Sequence, residues 1–209
     1  MIIEEFKNLT ATLIDETQKA AMHFDLYCNL KKSLSDFAMN KSPNFWSLTL
    51  NAHLEATRLS LCRSYDKTNK TNNIENWLKF IKDKSLAPQY NSEIEEDIKA
   101  VSKNNDIVDR LITKQRNNGI VHHSINNILK KEDFFKIYPL SKQDLKKLID
   151  LLTKLINKYT SIILGTSTAM LSVFQRQDYK YILDGIKEKY SKSQAFRDER
   201  FSSRDESNH

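Results

Sequence analysis

The chain has 209 residues, of which only 3 are Gly and 3 are Pro, so the punctuation that cuts a chain into strands and tight turns is scarce and an all-α fold is the economical reading. Hydrophobic residues at 39% suffice for one sizeable core, while 29% charged residues are too many for a chain that lives in lipid, and β-sandwich, barrel and Rossmann folds are disfavoured. The 33 Lys and Arg against 27 Asp and Glu leave a net charge of +6, a tilt that draws polyanions without naming one.

The start, Met1-Ile2-Ile3-Glu4-Glu5, carries acid where a secretory signal needs base, and Cys28 and Cys62 form no paired motif. A reducing, cytoplasmic location with both thiols as small buried groups is the expectation. Leu9, Leu13, Ala20, Phe24 and Tyr27 follow Phe6 at helical steps and predict a long first helix that fades over residues 31–40. Ser42 and Pro43 suit a cap and a first helical position, opening a second helix to about Tyr65 that carries Phe45, Trp46, Leu50, Leu54, Leu61 and Cys62. The polar run Asp66 to Asn73 reads as a stretch that cannot bury itself, and Ile74, Trp77, Leu78 and Ile81 mark a short third helix closed by Pro88.

Ser92 and Glu95 have the spacing of a capping box, and the stripe Ile94, Ile98, Val101, Val108 and Leu111 predicts one helix reaching Gln115 and breaking at Asn117-Asn118-Gly119. Pro139 and Ser141 announce the next helix, whose run from Leu145 to Ile163 is the most regular in the chain. The uncharged run Tyr159 to Gln175 holds too many Ser, Thr and Gly residues for a membrane span and reads as a buried helix junction. Beyond it lies an amphipathic segment from Tyr179 to Tyr190. The expected organisation is one helical domain over residues 1–190 and a disordered polar tail over 191–209.

The informative stretch is Lys114 to Ser124, which gathers Arg116, Asn117, Asn118, Gly119, His122 and His123 at the end of an otherwise ordinary amphipathic helix. Arg offers a permanently charged planar fork suited to phosphate oxygens, and His exchanges a proton near neutral pH. RNA carries its own nucleophile, the 2′-OH. A protein that moves that proton and neutralises the adjacent phosphate can therefore cleave RNA without a metal, and DNA lacks the group the chemistry needs. On an unbroken α-helix His123, seven positions after Arg116, shares its face better than His122, whereas a break at Gly119 can re-aim both histidines.

Arg116-Asn117, four residues and then His122 resembles the Arg, polar residue, variable residues, His signature of the HEPN superfamily, which includes metal-independent RNases of toxin–antitoxin, abortive-infection and CRISPR systems. The segment is most similar to the AbiU-like abortive-infection branch. A second resemblance lies in Phe45-Trp46 at the start of a helix that ends Arg63-Ser64-Tyr65-Asp66. The resemblance implies an all-α, up-and-down helical bundle of long antiparallel helices that forms a homodimer, so that Arg116 and His122 of both protomers meet in one cleft. In that picture His122, or His123 in its place, handles the 2′-OH or the leaving oxygen, Arg116 neutralises the phosphate, and Asn117 orients the pair. Asp66 and Arg63 are implied as supporting groups. No cofactor or metal is expected. The expected partners are RNA, a second copy and a cognate antitoxin protein, with no membrane. The branch often has a basic residue where Asn118 stands, and the Tyr that some relatives place after the His is replaced by Ser124 and Ile125.

The competing readings are a non-catalytic helical module that binds nucleic acid or protein, and a bundle holding a small ligand. His23 and His53 stand alone in their helical patterns, which argues against a metal, and the chain has no Gly-rich phosphate loop, zinc-protease motif or nucleophile elbow.

Overall fold

The computed structural model describes residues 1–34, 40–120, 139–167 and 178–205, with side chains described at all of these except 117–120 and 196–205. The elements are α1 (Ile2–Ser33), α2 (Pro43–Ser64), α3 (Ile74–Asp83), a 3₁₀ turn (Pro88–Tyr90), α4 (Asn91–Val101), α5 (Asp106–Asp109), a π-helical segment (Arg110–Ile120), α6 (Lys142–Leu164) and α7 (Asp178–Asp205). No strand occurs among the described residues, and the chain is all-α as its composition predicts. No described helix is long and apolar enough to cross a membrane. Two compact units are distinguished, one of Met1–Phe24 with Leu54–Leu171 and the other of Asp25–His53 with Ser172–His209.

The core of the first unit is built on α3, a ten-residue helix whose Ile74, Trp77, Leu78 and Ile81 are all buried. Trp77 stacks on Phe6 at 5.6 Å and meets Tyr159 edge-on at 6.0 Å, which joins α1, α3 and α6 through three aromatic rings. Its indole Nε1–H donates to the Thr10 hydroxyl at 2.9 Å, and that hydroxyl in turn donates to the Phe6 carbonyl, so the polar end of a fully buried ring is satisfied. Two fully local devices bound α3. Asn73 caps the start by accepting from the Asn76 amide at 2.9 Å, and the end closes with Leu86 N–H on Ile81 O and Ser85 N–H on Lys82 O. That pairing is a Schellman motif, and it places Ser85 at φ 50, where Gly is the usual occupant.

Helix α6 matches its expected start. The Ser141 hydroxyl accepts from the Asp144 amide at 3.1 Å and the Asp144 carboxylate accepts from the Ser141 amide at 3.0 Å, the reciprocal capping box. Leu145, Leu148, Ile149, Leu152, Leu155, Ile156 and Tyr159 are buried along one stripe, and Gly165 ends the helix at φ 68. The uncharged run from Tyr159 is thus helical and buried where it begins; its residues from Thr168 lie outside the described ones. Polar ties lock α6 to α4: the Tyr159 hydroxyl donates to Asp97 at 2.7 Å, and Lys158 bridges Asp97 at 2.9 Å and Glu93 at 2.8 Å.

Three expectations along this unit are corrected. The helix foreseen from Ser92 to Gln115 is interrupted: α4 ends at Val101, residues 102–105 turn, and Asn105 caps α5 by accepting from the Ile107 amide at 3.0 Å. A short polar side chain that competes for backbone donors restarts the chain there, although the apolar stripe runs through the break unaltered. Tyr90 rather than Ser92 occupies the N-cap of α4, with no side-chain cap, because the preceding 3₁₀ turn carries the chain directly into the helix. The break foreseen at Asn117-Asn118-Gly119 is absent, since these residues continue the π-helical segment to Ile120.

In the second unit Tyr27 and Leu30 of α1, Leu34 just beyond it, Trp46 and Leu50 of α2, and Leu183 of α7 are buried. Phe45, foreseen on the core stripe of α2, is 59% exposed: Trp46 takes the inward position, and Phe45 meets it edge-on at 4.9 Å. The Lys41 ammonium lies 5.3 Å above the Tyr190 ring. Helix α7 runs on through Ser191 to Asp205, across most of the polar stretch foreseen as a disordered tail, although only Leu183 of its described side chains is buried.

Candidate active site around Arg116

Arg116 stands on the π-helical segment Arg110–Ile120, eleven residues in which hydrogen bonds run to the fifth residue instead of the fourth. Such segments are rare and recur at functional sites. Leu111, Ile112 and Gln115 are buried on its inner side, and Arg116 lies partly exposed at the edge, its side chain 28% accessible.

Its guanidinium meets Asp66 in a two-pronged ion pair, Nη1 to Oδ1 at 2.8 Å and Nη2 to Oδ2 at 3.3 Å. A carboxylate and a guanidinium are matched forks, so this geometry fixes the plane of the arginine as well as its position. Asp66 lies just past the end of α2, and its side chain is only 9% accessible. Burial of a carboxylate is costly unless its oxygens are occupied, and here they are. Oδ1 accepts from the Lys67 amide at 2.7 Å, the Thr68 amide at 3.3 Å and the Thr68 hydroxyl at 3.1 Å, while the Thr71 hydroxyl, which donates to Thr68 O at 2.9 Å, lies 3.4 Å from Oδ2.

The loop that forms this cup is pinned on several sides. Asn72 donates to Leu9 O in α1 at 2.8 Å, and Asn73 and Asn76 donate to the Thr68 and Thr71 carbonyls. Lys67 reaches Glu75 at 2.9 Å and Val101 O at 2.7 Å, while the Tyr65 hydroxyl donates to Leu148 O in α6 at 2.8 Å. The polar run from Asp66 to Asn73 therefore does bury both of its ends, contrary to the expectation from composition, because its amides and hydroxyls satisfy one another and the carboxylate.

Cys62 lies one helical turn before Asp66 on α2. Burial pushes its thiol up to about 12, against a downward pull from Arg116 and Arg58 and an upward push from Asp66. The thiol is held as a neutral group beside the ion pair. Cys28 and Cys62 are both free, Cys62 buried and Cys28 only partly so.

Of the residues foreseen at the site, Arg116 is placed with its side chain. Asn117 is placed by its backbone on the π-helical segment, and His122 and His123 lie outside the described residues. The premise that a residue seven positions on returns to the face of Arg116 does not carry through to Ile120, because a hydrogen-bonded turn of a π-helix takes one residue more than an α-helical turn. Asp66 as the partner of Arg116 went unforeseen in this role; the signal available was an Asp with two closely spaced Thr after it, a pattern suited to a self-hydrogen-bonded turn. Arg63, the penultimate residue of α2, is exposed and pairs with Glu16 at 3.4 Å, away from the Arg116 pair. No group of acidic, His and Cys residues arranged to hold a metal occurs among the described residues.

The all-α fold with its long α1 and α2, and an arginine held beside the end of α2, are consistent with a HEPN-type domain. The model of a family described as AbiU2, within HEPN, matches residues 3–182. The chain belongs to this AbiU2 family of HEPN proteins, a module of the abortive-infection type. No curated protein and no solved structure matches it.

Proposed function

We propose that the chain is a metal-independent endoribonuclease of a phage-defence or toxin–antitoxin system, working as a homodimer in the cytoplasm. The observation that carries this reading is the Arg116 guanidinium, fixed in plane by a buried carboxylate on a π-helical segment of a HEPN protein. An arginine needed only for surface charge has no use for such fixation.

The 2′-OH oxygen attacks the neighbouring phosphorus; the O2′–P bond forms and the P–O5′ bond breaks, leaving a 2′,3′-cyclic phosphate and a 5′-OH. His122, with His123 in its place as the alternative, takes the 2′-OH proton, and the partner protomer's copy returns a proton to the leaving oxygen. Arg116 neutralises the charge that grows on the phosphate oxygens. Asn117 orients the imidazole or holds a phosphate oxygen. Proton transfer of this kind contributes roughly 10² to 10⁴ in rate, and a preorganised cation about 10² to 10³.

RNA incubated with the purified protein in excess EDTA is expected to be cut, and Arg116→Ala and His122→Ala to abolish the cutting, with His123→Ala separating the two histidines. Cleavage that persists in all three variants would belong to a contaminant and would remove the catalytic assignment. A second reading, a non-catalytic module in which the Arg116–Asp66 pair is only a strut between α2 and the π-helical segment, is favoured by the closeness of that pair. RNA that is bound and never cut would establish it.

A further inference from the structure

Asp66 is the least expected member of the site, since a carboxylate beside a phosphate-binding arginine repels the phosphate. The geometry points to a role that outweighs this cost: Asp66 is the positioning residue that sets the plane of Arg116, and the inference rests on the ribonuclease reading above. The carboxylate does not depend on Arg116 for its own place. Its loop supplies the Lys67 and Thr68 amides and the Thr68 hydroxyl. That loop is tied in turn to Leu9, Glu75 and Val101. The anion is thus assembled by α1, α3 and α4, and the arginine is brought to it from a sequence distance of fifty residues.

The way the fork is engaged decides what remains of it. Asp66 takes one N–H from each Nη, the end-on face of the guanidinium. The lateral edge, formed by Nε–H and the second N–H of Nη2, meets no acceptor among the described residues and is the pair suited to two oxygens of one phosphate. A lone arginine on a long flexible stem would sample many orientations of that edge; one clamped end-on presents a single edge in a single plane. The ligand is therefore a phosphodiester gripped side-on by Arg116, with Asp66 holding the opposite end of the same fork.

The test compares turnover with binding in wild type, Asp66→Asn, Asp66→Glu and Thr68→Val, each checked for folding by its melting temperature. Binding is read on an RNA whose attacking 2′-OH is replaced by hydrogen, so that it cannot be cut. Asp66→Asn removes a negative charge, so this RNA is expected to bind as well or more tightly, while kcat falls about 100-fold from misplacement of the guanidinium. Asp66→Glu is expected to recover part of that loss, and Thr68→Val, which deletes one donor to Oδ1, to lower kcat roughly threefold to tenfold with KM unchanged. If wild type cuts RNA and folded Asp66→Asn has unaltered kcat, or turns over faster, Asp66 is a strut or a brake and the inference falls alone. If wild type itself makes no product in EDTA, the ribonuclease reading fails and takes the inference with it.

Discussion

At Arg116 the physical difference between arginine and lysine becomes measurable. Lysine keeps the charge but offers a point donor on a flexible stem, so it cannot be held in plane by the two oxygens of Asp66. Arg116→Lys is expected to bind RNA nearly as wild type does and to lose about 100-fold or more in cleavage, measured in single-turnover assays. Cys62, next to the same pair, makes a second prediction. With its thiol pushed up to about 12 by burial, almost none of it is thiolate at neutral pH, and the thiolate is the reactive form. Alkylation coupled to mass spectrometry is expected to leave Cys62 unmodified in the folded protein and to label it on unfolding; rapid labelling under native conditions would mean that this face of α2 opens.

Individual elements are stabilised by terminal residues whose cost is local. Ser85 occupies the left-handed position after α3 at φ 50, where a Cβ is disfavoured by roughly 1 kcal/mol or more. Ser85→Gly is expected to raise stability by a few tenths to about 1 kcal/mol in denaturant unfolding, the gain in the folded chain being partly offset by greater freedom in the unfolded one. Gly165 is the mirror case: a Cβ there meets nothing within 4 Å, so Gly165→Ala is expected to lose about 1 kcal/mol through backbone strain alone. These termini also explain which bounds could be read from the chain in advance. The start of α6 was legible because Ser141 acts within a turn of itself, whereas its end at Gly165 lay inside the uncharged run read as a helix junction. The break before α5 was not, because Val101 and Val108 are two turns apart and keep the apolar phase while Asn105 restarts the helix between them. A π-helical stretch is equally hidden, since its inner residues Leu111, Ile112 and Gln115 are spaced as an α-helix would allow. The grip of Asp66 on Arg116 depends on chain segments fifty residues apart and has no local signature.

For the whole molecule the expectations concern acid stability and assembly. Burial acts to raise the Glu75 carboxyl, but hydrogen bonds from Lys79 and Lys67 outweigh it and leave it below the ordinary value. A carboxyl depressed on folding adds stability above its unfolded pKa, about 4.3, and that stability is lost as pH falls through the lower folded value. Glu75→Gln is therefore expected to be less stable than wild type at pH 7, with the two unfolding midpoints converging as pH drops below about 4.3. A difference that stays constant down to pH 2 would show that Glu75 acts through packing instead of charge. The proposed shared cleft requires a dimer, and light scattering at micromolar concentration is expected to return twice the mass of one chain.

The π-helical stretch bears on how distant relatives are to be compared. A motif written as a number of intervening residues measures distance along the chain, and it measures direction in space only if every member coils with the same pitch. From Arg110 to Ile120 this one does not coil as an α-helix. A homologue with ordinary α-helical winding at these positions turns farther for the same number of residues, so a gap in an alignment at this point can mark preserved geometry and an ungapped match can mark a changed one.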